Sequence, residues 1–261
     1  MLWGVFLHFL SVFIPFVCIS FLIYLLLSHF KSGAWRKQAD KWQHLLVVTA
    51  HPDDECMFFS PSIFDFIRRQ KHVSVLCLSD GTYMQLADTR KKELYDSCRI
   101  LGIQENNVQL VGDSCFPDDP SRIWNEELVA RIILKHLLII KPDVVLTFDQ
   151  YGISGHNNHC SIYYGCRKLL QDGRAPSGIN FYSLETTNIL RKYVSFLDIP
   201  LSTVLTSKCY ISTISAAIRA VRAMCAHSTQ ITWYRIAYLM FSRYMLINTL
   251  VDVLPGINMP R

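Results

Sequence analysis

The first thirty positions, MLWGVFLHFLSVFIPFVCISFLIYLLLSHF, contain no Asp, Glu, Lys or Arg, and after them the pattern changes. About 20 consecutive apolar residues suffice to cross a bilayer as a helix, so this stretch predicts a transmembrane helix over residues 1–30. A cleaved signal peptide and a buried core helix are rival readings. The basic n-region and small-residue cleavage site of a signal peptide are both missing. Lys31, Arg36, Lys37 and Lys41 follow at once, so residues 31–43 read as a basic juxtamembrane linker. Positive residues stay on the cytoplasmic side, which predicts that the remaining chain faces the cytosol.

From His44 onward, short apolar runs alternate with longer amphipathic ones. HLLVVTA, HVSVLCLS, NVQLVG and DVVLTF are rich in β-branched residues and read as buried parallel strands. Between and after them, DTRKKELYDSCRILG, WNEELVARIILKHLLII and HNNHCSIYYGCRKLLQDG read as helices, two of them stopping at glycines and one before Lys141-Pro142. Strand–helix alternation of this kind predicts an α/β fold over residues 44–261, a Rossmann-like, doubly wound, mostly parallel sheet. Ligands bind such sheets beyond the carboxyl ends of the strands. The tail ITWYRIAYLMFSRYMLINTLVDVLPGI is apolar and aromatic, but Arg235 and Arg243 make a second span costly. A helix lying in the membrane interface and one packed on the sheet both remain open.

Composition narrows the function classes. Half of the 261 residues are apolar, enough for a substantial core, and the net charge is +5. A mildly basic chain suits an anionic lipid surface or phosphorylated substrate, while the absence of a Lys/Arg stripe interleaved with aromatics argues against nucleic acid. Nine cysteines, an odd number with no CxxC pair, sit largely in apolar runs and point to reduced core thiols rather than a disulfide framework.

The chemistry concentrates in two loops, each directly after a predicted strand. His51-Pro52-Asp53-Asp54-Glu55 gathers four ionisable side chains into five positions. Pro52 pushes His51 towards an extended backbone, aiming its ring off the sheet edge. A helix N-cap explains one carboxylate there, but not the preceding His as well. The second loop, QYGISGHNNH, places His156 and His159 three residues apart on one helical face. Three ligands such as His51, Asp54 and His159 would leave a position open on a divalent ion, as catalytic sites do. Asp53 and His156 would then be free to move protons. Arg90 opens a predicted helix beside the sheet edge and could fork onto a phosphate or sugar hydroxyl. Asp149, at a strand end, is expected to orient a ligating histidine.

AHPDDE followed some hundred residues later by an HxxH loop resembles the PIG-L, or LmbE-like, family of metal-dependent de-N-acetylases. TRKKEL, FPDDP, TFDQYGISGHNNH and FSRYM extend the resemblance to its eukaryotic members, over roughly residues 42–250. The resemblance implies hydrolysis of the acetamide of N-acetylglucosaminyl-phosphatidylinositol, the second step of glycosylphosphatidylinositol anchor synthesis. It implies Zn²⁺ on His51, Asp54 and His159, Asp53 as general base and His156 as stabiliser of the tetrahedral intermediate. Arg90, with Glu93 in an RxxE pattern, and Asp119, with Asp118 as its neighbouring rival, correspond to substrate contacts. Asn158 stands where some bacterial relatives carry Asp. The implied setting is a single-pass protein of the endoplasmic reticulum membrane whose partners are the bilayer and its glycolipid substrate. A phosphoinositide-binding protein without activity, or a deacetylase of another N-acetylglucosaminide, is the alternative.

Overall fold

The computed structural model describes residues 2–29, 34–81 and 86–254. The four β-branched runs form β1 (His44–Thr49), β2 (His72–Cys77), β3 (Val108–Leu110) and β4 (Val144–Phe148). Three further strands, β5 (Asn180–Leu184), β6 (Cys209–Ile211) and β7 (Ile247–Asp252), complete a seven-stranded sheet in the order β3-β2-β1-β4-β5-β7-β6. β1 to β5 run parallel, and β7 runs antiparallel to both of its neighbours. β1, β2 and β4 are buried along almost their whole length, as strands covered on both faces must be.

The helices are α1 (Leu2–His29), α2 (Ala34–Ala39), α3 (Asp54–Met57), α4 (Ser60–Arg68), α5 (Ala87–Leu101) and α6 (Glu126–Ile140). They continue with α7 (Gly152–Gly155), α8 (Asn157–Gln171), α9 (Ile189–Lys192), α10 (Ile199–Leu205), α11 (Ile214–Ala226) and α12 (Trp233–Phe241). α6 packs on α8, which lies against β1 and β4; α5 packs on α11, which contacts α4. Right-handed crossovers place such groups on opposite faces of a parallel sheet. The helices expected from the sequence form close to their predicted bounds. α5, for example, ends where Gly102 adopts φ +95°, a left-handed cap that disfavours a side chain.

The chain winds from β1 outward through β2 to β3, then returns to lay β4 against the other edge of β1, pairing Leu45 with Val144 and Val47 with Leu146. Two adjacent strands with connections leaving in opposite directions create a crevice at their carboxyl ends. The loops that follow β1 and β4 are the two that carry the chemistry.

Two expectations are corrected. Residues 34–42 are not a linker: α2 belongs to the domain, Trp35 and Trp42 are buried in the core, and Arg36 forms a buried ion pair with Asp65. Lys31 lies outside the described residues. The apolar tail, expected as a helix lying in the interface or packed on the sheet, is not one continuous helix. It divides into α12, a 3-10 turn at Arg243–Met245 and the sheet strand β7. The tail's Arg243 is fully buried and its guanidinium pairs with Asp198. None of the nine cysteines forms a disulfide among the described residues.

α1 contains the one stretch among the described residues long and apolar enough to cross a membrane, His8–His29, with mean hydropathy 2.6. Much of its surface is open, and among the described residues its C-terminal turns are the part that packs on the domain. There Tyr24, Leu25 and Leu27 meet Ile199, Ile211 and Ile247.

Candidate active site

β1 ends at Thr49, and the four residues before α3 turn sharply enough that Asp53 adopts φ +105°. A non-glycine residue in that region costs on the order of 1–3 kcal/mol and persists only where its surroundings enforce it. Two carboxylates do so. Asp54 Oδ2 accepts hydrogen bonds from the amides of Ala50 and His51, both at 2.9 Å. Glu55 Oε2 accepts the amide of Asp53 at 3.0 Å. Glu55 is itself fully buried, where its other oxygen accepts from Ser97 Oγ and pairs with His227 Nε2 at 2.8 Å.

The second loop is shaped by Asp149. Its carboxylate accepts the amides of Tyr151, Gly152 and Thr186 and the Thr186 hydroxyl. It does not touch a histidine, contrary to expectation. It acts one step removed, by fixing Gly152, whose carbonyl lies 3.1 Å from His159 Nδ1. Phe148 stacks face to face on the His159 ring at 3.8 Å. Ring plane and rotamer of His159 are therefore set from two sides.

The two loops meet. His159 Nε2 lies 3.2 Å from Asp54 Oδ1, and His51 Nδ1 lies 3.8 Å from Asp54 Oδ2. One ligand atom from each of His51, Asp54 and His159 falls within 4.8 Å of the others, and all three residues are buried. With Nδ1–H donating to Gly152, His159 turns its buried Nε2 toward Asp54, and the neutral ring carries a lone pair there. A buried lone pair facing a carboxylate oxygen is costly alone and is satisfied by a shared cation. Two nitrogens and a carboxylate suit a divalent transition ion. Burial drives the Asp54 carboxyl up, but His159 and His51 outweigh it and hold this group well below the usual carboxylate range.

Asp53 and His156 flank that cluster. Burial raises the Asp53 carboxyl above its ordinary value; Arg235, 2.8 Å from Asp53 Oδ2, opposes the rise and Asp54 adds to it. The His156 ring centroid lies 4.8 Å from that of His51 and 4.7 Å from that of His159. Its Nδ1 accepts the amide of Asn158 at 3.3 Å, which leaves the proton on Nε2. Burial and the two neighbouring imidazoles lower its pKa to about 4. His156 is thus a neutral N–H donor at pH 7, rather than the imidazolium that stabilisation of an oxyanion first suggests.

Arg90 is buried among acceptors. It donates to Pro52 O at 2.9 Å and Asp118 Oδ2 at 2.6 Å, and stands 4.0 Å from Asp53 Oδ2. Gly81, at φ +72°, admits it: a Cβ there would fall 2.0 Å from the guanidinium. Asp118, not Asp119, is turned into the cluster, with Oδ1 3.2 Å from His51 Nε2. Asp119 instead closes a local turn by accepting the amide and hydroxyl of Ser121. Glu93 does not reach the cluster. It holds the segment before α12 through Ser228 and Thr229. Asn158 is buried and its Oδ1 lies 3.0 Å from His51 Nε2, so it orients His51 without adding charge.

Sequence reasoning missed Arg235, which it treated only as an obstacle to a membrane span, and the Glu55–His227 pair. No local signal marks either partner; both lie on elements remote in sequence from the AHPDDE loop.

Comparison with known proteins agrees with this architecture. A family model described as PIG-L, GlcNAc-PI de-N-acetylase, matches residues 46–170. The chain is 42% identical over 206 residues to N-acetylglucosaminyl-phosphatidylinositol de-N-acetylase of Bos taurus, covering 78% of this chain and 81% of that one. It is 35% identical over 239 residues to a probable N-acetylglucosaminyl-phosphatidylinositol de-N-acetylase of Dictyostelium discoideum, covering 80% and 93%. Among solved structures, N,N'-diacetylchitobiose deacetylase from Pyrococcus horikoshii shares the fold, with a TM-score of 0.61 at 17% identity over 92% of this chain and 95% of that one. The chain belongs to the PIG-L family of GlcNAc-PI de-N-acetylases.

Proposed function

We propose that the chain hydrolyses the acetamide of N-acetylglucosaminyl-phosphatidylinositol, releasing acetate and leaving glucosaminyl-phosphatidylinositol, as the second step of glycosylphosphatidylinositol anchor synthesis. The observation that carries this reading is the convergence of His51, Asp53, Asp54, His156 and His159 from two loops at the carboxyl ends of adjacent strands. The relatives named for this reaction support the substrate.

His51, Asp54 and His159 would hold one divalent ion; a mixed His/Asp set suits Zn²⁺ or Fe²⁺, and the family resemblance favours Zn²⁺. When bound, the ion supplies Lewis acidity toward the amide carbonyl and toward water. Asp53, its carboxyl raised by burial, takes the proton of the attacking water and passes it to the leaving amine as the C–N bond breaks. His156 offers its neutral Nε2–H to the charge that develops on the carbonyl oxygen, a contact worth roughly 3–4 kcal/mol in a site closed to water. Arg90 and Asp118, themselves paired at 2.6 Å, would hold the sugar and its phosphodiester by forked hydrogen bonds.

α1 serves as the single membrane anchor, with the domain on the cytosolic side of the endoplasmic reticulum membrane. A tethered enzyme meets a diacyl substrate at high effective concentration. The test is acetate release from the inositol glycolipid by membranes containing the full chain. Activity should vanish with a chelator and return with Zn²⁺; chelator-resistant turnover would refute the metal-dependent part of the reading.

A further inference from the structure

α9, α10 and α12 turn apolar side chains outward that nothing else among the described residues covers. On α9, Ile189 and Leu190 are exposed. On α10, Leu201, Val204 and Leu205 are, Val204 at 84%. On α12, Trp233 is 81% exposed, and Ile236, Met240 and Phe241 are at least half exposed. None of the three helices contains an Asp or Glu. Their two clearest cations point inward, Lys192 being buried and Arg235 paired with Asp53. An apolar patch of this extent marks a contact surface.

We propose that these helices form a second membrane-contact face, which lays the domain onto the same bilayer that α1 enters. The inference rests on the reading of α1 as a span, and its occupant follows from where α1 touches the domain. Phe21 packs edge-on against Phe196 in the 3-10 turn Ser195–Asp198, which leads directly into α10. α1 runs on to His29, eight residues beyond Phe21, and at 1.5 Å per residue that is about 12 Å along its axis. The outward side chains of α10 therefore lie level with the apolar part of α1, a depth at which lipid surrounds them. Amphipathic helices in the interface bury their apolar face to about 5–10 Å, slightly less than this distance.

The face is a built surface. Beneath it, Asp198 accepts from Arg191 Nε at 2.7 Å and from the Ser202 hydroxyl, and pairs with Arg243 Nε at 2.6 Å. Tyr193, following α9, packs against Tyr238 of α12 with ring centroids 6.4 Å apart, joining the parts.

The inward sides of the same elements touch the candidate active site. Lys192 Nζ donates to Ile153 O at 2.8 Å and Ser154 Oγ at 2.9 Å, in the loop that carries His156. Arg235 of α12 reaches Asp53. Membrane contact thus sets the site at headgroup level, where the sugar of a membrane-held glycolipid lies.

The test uses the full chain in nanodiscs of ordinary phosphatidylcholine and of phosphatidylcholine brominated near the carbonyl end of its acyl chains. Bromine quenches only indoles in contact with lipid. Trp35, Trp42 and Trp124 are buried in the domain, and Trp3 of α1 contributes equally to both proteins compared. Wild type should be quenched by a larger fraction than Trp233→Phe. An equal or smaller fraction in wild type overturns the proposal and assigns the face to a protein partner. Val204→Glu with Ile236→Glu should lower turnover of bilayer-held glycolipid by about tenfold and leave turnover of a water-soluble N-acetylglucosaminyl-inositol phosphate unchanged. Equal losses on both substrates, or none on either, overturn it too. If wild type is quenched as expected but hydrolyses neither substrate, the proposed function fails while the membrane face stands.

Discussion

Arg235 Nη2 lies 2.8 Å from Asp53 Oδ2, joining α12 to the carboxylate proposed as general base. The pairing opposes the effect of burial, which raises that carboxyl. Arg235 is held in turn by Gln230, through both its main-chain carbonyl and its side-chain oxygen. A base needs to be ionised before it can accept a proton, and a cation at this distance favours the ionised form.

Replacing Arg235 with Met removes that opposition, and Asp53 rises further. The acid limb of the kcat/KM profile should move to higher pH by about one unit or more, with a matching loss at pH 7. Arg235→Lys should restore most of it. An unmoved acid limb in Arg235→Met would separate the guanidinium from Asp53's ionisation.

Asp118 and Asp119 make a paired comparison. Asp118 contacts both His51 and Arg90, while Asp119 is occupied by Ser121. Asp118→Asn should reduce kcat/KM by roughly ten- to a hundredfold, the size of one or two charge-assisted hydrogen bonds. Asp119→Asn should stay near wild type. The reverse order would return the sugar contact to Asp119.

The buried Glu55–His227 pair predicts a pH dependence of stability. Burial disfavours charge on both, but each partner outweighs it for the other, so Glu55 falls below its ordinary 4.5 and His227 rises above its ordinary 6.5. A lowered carboxyl stabilises the fold above 4.5 and loses this as pH falls through its folded value. A raised imidazole stabilises below 6.5 and loses this as pH rises through its folded value. Stability of the full chain in detergent should therefore decline as pH rises above 6.5 and through the raised folded value of His227, and that decline should be absent in His227→Gln. His227→Leu, which strands the carboxylate, should cost about 3–5 kcal/mol. A parallel decline in His227→Gln would assign the titration elsewhere.

Much of this was legible in the chain because the decisive features are local. β1 and β4 announce themselves as continuous β-branched runs, and each is followed at once by its polar loop. Adjacency at the switch point then follows from winding rules rather than from the loops themselves. What escaped was set by tertiary contact. An apolar run such as that before Asp252 fits a helix or a strand equally, and only pairing with β5 and β6 decides it. AWRKQA looks like a basic linker until Asp65 is seen to receive Arg36 and the core to receive Trp35. The choice between Asp118 and Asp119 turns on one local turn that closes on Ser121.

The central claim is that His51, Asp54 and His159 hold one ion together, and the most direct measurement is the metal content of the purified full chain. Wild type and Asp53→Asn should each carry about one divalent ion per chain, the second without releasing acetate, and His159→Ala should carry almost none. Undiminished metal in His159→Ala would contradict the account.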